Sequence, residues 1–162
     1  MNFEVDVSGE DLLGKDYTIC IANNNGIIKG FKFDNDMINI LSSRYGQKIY
    51  KRYPKSQKGK ATFKIRLYCI VIYYLIKTLK IKDISLTLCR DFQGREEDIK
   101  KSLKFFIEEV LALKLADRIY FDKLSPNSNA HKYAYLMRQD TKNKMSTYLK
   151  ISIEDIEKWL KK

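Results

Sequence analysis

The sequence predicts an α/β domain with a mixed five-stranded sheet, in which a three-stranded antiparallel meander is followed by alternating helices and strands. Three observations predict it. The opening segment alternates apolar and polar residues, an Asn-rich turn ending in Gly separates two further β-type runs, and from Asp34 onward helical periods interleave with two more short β-rich runs. A chain of 162 residues suits one domain with a proper core and is short for two ordinary ones. Hydrophobic residues at 44% and charged residues at 31% place it among globular proteins rather than disordered ones.

Each element has a local reason. From Phe3 to Ser8, the apolar Phe3, Val5 and Val7 alternate with Glu4, Asp6 and Ser8, the period of a strand with two unlike faces. Tyr17 to Ala22 and Ile27 to Phe33 are the next two strands. Asn23-Asn24-Asn25-Gly26 between them supplies residues that tolerate the positive φ of a hairpin turn. Asp34 or Asp36 can cap a short helix to about Arg44, with Met37, Ile38, Ile40 and Leu41 apolar. A second helix, Ala61 to Leu79, is apolar nearly all round in its middle, as a helix covered on most sides would be. Ile84 to Cys89 makes a fourth strand. From Arg95 to about Leu115, Ile99, Leu103, Phe106, Ile107, Val110 and Leu113 share one helical face. Arg118 to Leu124 makes a fifth strand, and Ala130 to about Arg138 a further helix after a Ser, Pro and Asn loop. A final helix is capped by Ser152, with Ile153, Ile156, Trp159 and Leu160 as its docking stripe. The expected division is a domain over 1–140 and a C-terminal helical extension over 141–162.

The longest apolar stretch, Leu67 to Ile76, is about half the ~20 residues that span a bilayer, and Arg66 and Lys77 bound it. The start MNFEVDVSGEDLL has early acids and no basic lead into an apolar run, so no signal peptide and a cytoplasmic location are expected. Cys20, Cys69 and Cys89 lie within apolar runs without the spacing of a zinc site or redox pair, and are expected as core residues. Abundant Lys, Ile, Glu and Tyr give the composition a thermophile flavour.

Net charge points to the partner. The formal charge of +11 gives a field that concentrates polyanions, and nucleic acid, DNA or RNA, is the leading candidate. Between residues 48 and 66 lie Lys48, Lys51, Arg52, Lys55, Lys58, Lys60, Lys64 and Arg66 without a single acid. Tyr45, Tyr50, Tyr53 and Phe63 are interleaved, so cations can pair with phosphates while rings, Tyr53 among them, stack on unpaired bases. Pro54, Ser56, Gln57 and Gly59 suggest a flexible middle. No helix carries a clear array of base-reading Arg, Asn and Gln, so backbone or structure recognition is expected.

Three residues carry the candidate chemistry. Asp6 stands mid-strand in VDVSG, Asp91 ends the fourth strand in TLCRDFQG, and His131 sits in Asn129-Ala130-His131-Lys132-Tyr133-Ala134 after an Asn-containing loop. With the order β-β-β, α, β, α, β, α, these resemble the ribonuclease H-like superfamily, which hosts nucleases, resolvases, transposases and integrases. The similarity covers about Phe3 to Arg138. It implies catalytic roles for Asp6 and Asp91, with His131 in the place of a last catalytic Asp, as in some resolvase-like branches. It implies a metal-dependent endonuclease. Carboxylates are hard ligands for Mg²⁺ or Mn²⁺, and two metals about 4 Å apart can activate water and stabilise the leaving oxygen. Asp6 and Asp91 would share a metal, and His131 would ligate the second or move a proton. The family's Glu after the third strand is missing, since only Asp34 and Asp36 are acidic between Phe33 and Lys82. Asp122 or Glu97 would have to compensate.

Each residue also has a plainer role open to it. Asp6 can bond turn amides, Asp91 can cap the helix that follows, and His131 can be an ordinary first-turn residue. The competing function is therefore a binding module on an inactive scaffold of the same fold. A third is a component of a nucleoprotein assembly, docked or dimerised through the C-terminal Trp159 helix.

Overall fold

The computed structural model describes residues 1–161. A meander of β1 (Asn2–Ser8), β2 (Thr18–Ala22) and β3 (Ile28–Lys32) is followed by α1 (Asn35–Gly46), α2 (Gln57–Lys77) and β4 (Asp83–Leu88). Then come α3 (Glu96–Lys104), a π-helical continuation over Phe105–Val110, and the two-residue strands β5 (Lys114–Leu115) and β6 (Tyr120–Phe121). Helices α4 (Asn129–Gln139) and α5 (Ile153–Leu160) end the chain. The sheet is open and mixed, in the order β3-β2-β1-β4-β5 with β6 also on β4. The meander pairs are antiparallel, and β1–β4, β4–β5 and β4–β6 are parallel.

Strand β2 reads TICIA and is buried throughout, because strands flank it on both sides and helices cover both faces. Its alternate residues divide the core. Ile19 and Ile21 join the large cluster with α2, α3 and α5, whereas Cys20 and Ala22 meet Ala130 and Ala134 of α4. In register with Cys20 stand Asp6 on one side and Gly30 on the other. This row of small residues lets α4 lie close: a Cβ on Gly30 would fall 2.5 Å from the Met137 side chain.

The second helix begins earlier than its apolar pattern. Ser56 caps it by accepting from the Gly59 amide at 3.0 Å, so α2 starts at Gln57. A Cβ at Gly59 would fall 2.0 Å from the Pro54 carbonyl oxygen, which is why the tight entry needs glycine. The helix expected to run to Leu115 stops well short. Phe106 and Ile107, adjacent and both fully buried, sit in the widened π turn, and Leu113 donates back to Ile107 at 2.9 Å with Ala112 at φ 54. The single fifth strand expected over 118–124 is two short ones. β5 pairs with the start of β4 and β6 with its end, and between them Asp117 accepts from the Arg118 amide and the Tyr120 hydroxyl. The sheet therefore has six strands, not five.

The C-terminal stretch is woven into this body. Gly30 donates to Thr147 at 2.9 Å and accepts from Leu149 at 2.8 Å, which covers the β3 edge. Ile156, Trp159 and Leu160 of α5 are buried in the main core, where Trp159 packs edge-on against Phe106 and Tyr73. The stripe expected to dock a partner is thus spent within the chain. Among the described residues no helix is long and apolar enough to cross a membrane.

Candidate functional site

The register that puts Asp6 beside Cys20 also points it toward α4, and His131 stands in the first turn of that helix. Ser128 caps the helix by accepting from the His131 amide at 3.1 Å. His131 Nδ1 meets Asp6 Oδ2 at 2.8 Å, and Asp6 Oδ1 accepts from the Val7 amide at 2.8 Å. The Asp6 side chain is 10% exposed and that of His131 50%, so an almost buried carboxylate holds a half-open ring. An ionised carboxylate only accepts hydrogen bonds, so in a pair with ionised Asp6 the hydrogen sits on Nδ1 and Nε2 is the nitrogen that faces away from Asp6. His131 is thus a first-turn residue of α4, and its ring faces Asp6.

Asp91 follows the carboxyl end of β4, next to Asp6 near the end of the parallel strand β1. Neighbouring parallel strands whose connections leave in opposite directions open a crevice at their carboxyl ends, where α/β proteins place their sites. Asp91 does not cap α3, whose first residue lacks a side-chain cap. Instead its Oδ2 accepts from the buried Tyr17 hydroxyl at 2.6 Å. Although Asp91 as a residue is exposed, partial withdrawal of its carboxyl from water holds it above the usual aspartate range, opposed by the Tyr17 hydroxyl and aided by the Asp6 charge. The same burial and Asp6 push the Cys89 thiol up to about 12, so Cys89 is not an activated nucleophile. Tyr17 entered the sequence reading only as a strand residue; no local pattern marks its bond to a residue 74 positions away.

The three residues are therefore neighbours but not a ligand cluster. Both Asp6 oxygens are engaged and Asp91 is turned to Tyr17. Among the described residues no group of three or more His, Cys, Asp or Glu side chains is arranged to hold a metal ion. With their carboxylates so engaged, the three would have to turn toward a common point before they could hold a metal together. Glu97 lies on the exposed side of α3 beside Lys100 at 3.5 Å, and Asp122 accepts from the Lys123 amide at 2.8 Å, so neither joins them.

The basic connector divides into an outer and an inner set. Lys48, Lys51, Arg52, Lys55, Lys58 and Lys60 are exposed. Lys64 is half-buried and bridges Asp11 at 2.8 Å. Arg66 is a correction: its guanidinium donates to the Trp159 carbonyl and, at 2.9 Å, to the Ser102 hydroxyl, and stacks 4.7 Å from the Phe106 ring centre. It ties α2 to α3 and α5. Tyr53 is a second correction. It is 5% exposed and packs with Tyr45 and Tyr50 around the fully buried Phe63, ring centres 4.9–5.5 Å apart. Those rings anchor the connector and are not free to stack on bases.

Two cavities adjoin along the amino-terminal half of α2. One, of about 500 Å³, holds the acids Glu10, Asp11 and Asp91 with Lys60, Lys64 and Arg95, so its charges balance. The other, of about 640 Å³, takes in Arg52, Lys58, Arg66, Arg95 and Lys101 against one acid, Asp98. Arg95 and Ile65 line both, so a single lane runs from Asp91 to Trp159. Arg95, the residue before α3, and Lys101 within it escaped a reading confined to the 48–66 run. Comparisons with protein-family models, with curated proteins and with solved structures give no match.

Proposed function

We propose that the chain is a nucleic-acid-binding domain that holds a phosphate backbone along the lane between α2 and α3. The observation that carries this is the charge of the larger cavity, five cations against one carboxylate already bridged to Arg95 at 2.7 Å. Arg52, Lys58 and Lys101 form no ion pair among the described residues, and the exposed lysines of the connector extend the same field. Such a surface repels itself unless an anion covers it, and a polyanion does so with release of counterions.

Fluorescence anisotropy with labelled single strands, duplexes, RNA–DNA hybrid and four-way junction, over a salt series, tests it. The logarithm of the affinity should fall linearly with log salt, and the combined Arg52→Ala, Lys58→Ala, Lys60→Ala variant should lower the slope on single strands by about 2. Salt-independent binding, or a variant that binds as well as the parent chain, overturns it.

A second reading, phosphodiester hydrolysis at Asp6, Asp91 and His131 with Mg²⁺ or Mn²⁺, is favoured by one observation. All three lie at the carboxyl edge of the parallel strands, and the lane leads to Asp91. Metal-dependent cutting of the same substrates, lost in Asp6→Asn, would establish it. Uncut substrate bound by both forms leaves the binding domain alone.

A further inference from the structure

The larger cavity has more than charge. Its floor is apolar and aromatic, made by Tyr53, Ile65, Phe105 and Trp159, and the cations stand around it. Phe105 is 42% exposed although it lies in the π turn beside Phe106 and 6.4 Å from the Trp159 ring centre. An exposed aromatic ring set among lysines and arginines is unexplained by core packing, and a phosphate backbone alone has no use for it. The cavity volume of about 640 Å³ lies within the roughly 300–1,000 Å³ of small-molecule sites.

We infer that this cavity is a nucleotide site, which takes one unpaired base against the exposed Phe105 ring, with the buried Trp159 beneath it, and the attached phosphate on Arg52, Lys58 and Lys101. The chemistry of the two halves fits that ligand. A base offers a π face to aromatic rings whatever its sequence, and a phosphate offers charge to a cation rim. Arg66 is committed to Ser102, Phe106 and the Trp159 carbonyl, so it shapes the floor instead of binding. Arg95, bonded to Asp98 and to the Thr62 hydroxyl at 2.9 Å, forms the sill between the two cavities. A strand lying along the lane would place this nucleotide at one end and its neighbours toward Asp91. The inference rests on the nucleic-acid reading only for the source of the nucleotide, since a free nucleoside phosphate has the same two halves.

Trp159 is the chain's single tryptophan and reports directly on the cavity. Its fluorescence is followed while the whole protein is titrated with AMP, adenosine, inorganic phosphate, a short single strand and a blunt duplex of the same sequence. AMP is expected to change the emission and to bind at least about tenfold more tightly than adenosine or phosphate, as joint stacking and charge contacts imply. Phe105→Ala and Lys101→Ala should each weaken AMP by about five- to tenfold with circular dichroism unchanged. The single strand should give the AMP response and the duplex should not, if the nucleotide comes from a strand; AMP alone responding assigns a free nucleotide. AMP no better than phosphate, or unaffected by both variants, overturns the nucleotide site. Anisotropy keeps the two proposals apart: polymer binding that survives with no AMP response sinks only this inference, and AMP binding with no polymer bound sinks only the nucleic-acid reading.

Discussion

The two faces of the sheet are built to opposite plans. On the α2 face, Phe, Tyr, Leu and Ile side chains from the strands and from α1, α2, α3 and α5 fill a deep core around Phe63, Tyr68 and Phe106. On the α4 face the buried set is only Cys20, Ala22, Leu124, Ala130 and Ala134, with Gly30 under Met137. The deep face gives stability and positions the cationic lane on its outer rim. The thin face brings a helix close enough for His131 to reach a carboxylate in the middle of a strand. Depth buys little reach and closeness buys little burial, so the two roles fall on different sides of one sheet.

The sharpest way to break the deep face is Phe63→Ala. It removes the ring that Tyr45, Tyr50 and Tyr53 surround, and about 3–5 kcal/mol of unfolding free energy should go with it, measured by chemical denaturation. Were the connector a loose loop, as its Pro, Ser, Gln and Gly suggest, the loss would be under about 1 kcal/mol.

The thin face is broken by adding volume. Ala134→Leu has no space between α4 and β2 and should cost about 1–3 kcal/mol while forcing the helix outward. His131 should lose its contact with Asp6 at the same time, seen as a change in its imidazole resonances through a pH titration by NMR. Unchanged resonances would show that the pair does not depend on the closeness of α4.

How much of this the sequence discloses follows from the range of each interaction. The meander, its Asn and Gly turn and the Asp34 and Ser152 caps are local, and they are where the residues imply, whereas the two long helical patterns give the helices but not their ends. That Asp6, Asp91 and His131 neighbour one another follows from element order, yet their engagement by Val7, Tyr17 and each other does not. The interleaved tyrosines misled because a ring that stacks on a base and one that fills a core look alike in a list of residues. The helix break at the π turn and the split of the last strand depend on Trp159 and Asp117, which are distant in sequence or silent in pattern.

A smaller effect separates the rim of the deep face from its centre. Glu157 of α5 is nearly buried and accepts from Arg44 and, at 2.9 Å, from the Tyr50 hydroxyl. Burial alone would raise its carboxyl, but these two partners hold it below the usual glutamate range. A depressed folded value means that stability is present above the ordinary value and lost as pH falls through the depressed one. Glu157→Gln should therefore cost about 1 kcal/mol at neutral pH, a gap that closes in acid.

Asp91→Asn should give the smallest change and the opposite sign. The Asp91 carboxyl is held above its ordinary value by withdrawal from water and by Asp6, so its charged form works against the fold. That contribution favours the folded chain only below the ordinary aspartate value and is lost as pH rises through the raised one. Asparagine keeps a carbonyl for the Tyr17 hydroxyl and carries no charge beside Asp6, so the variant should melt slightly above the parent chain at neutral pH and converge with it in acid. A residue whose charge costs stability is one that the fold alone would not select. If the variant gains stability and also loses nucleic-acid cleavage, the cost of Asp91 is explained by chemistry; if it gains stability with binding intact and no cleavage in either form, the carboxyl edge is a strained remnant and the lane carries the function.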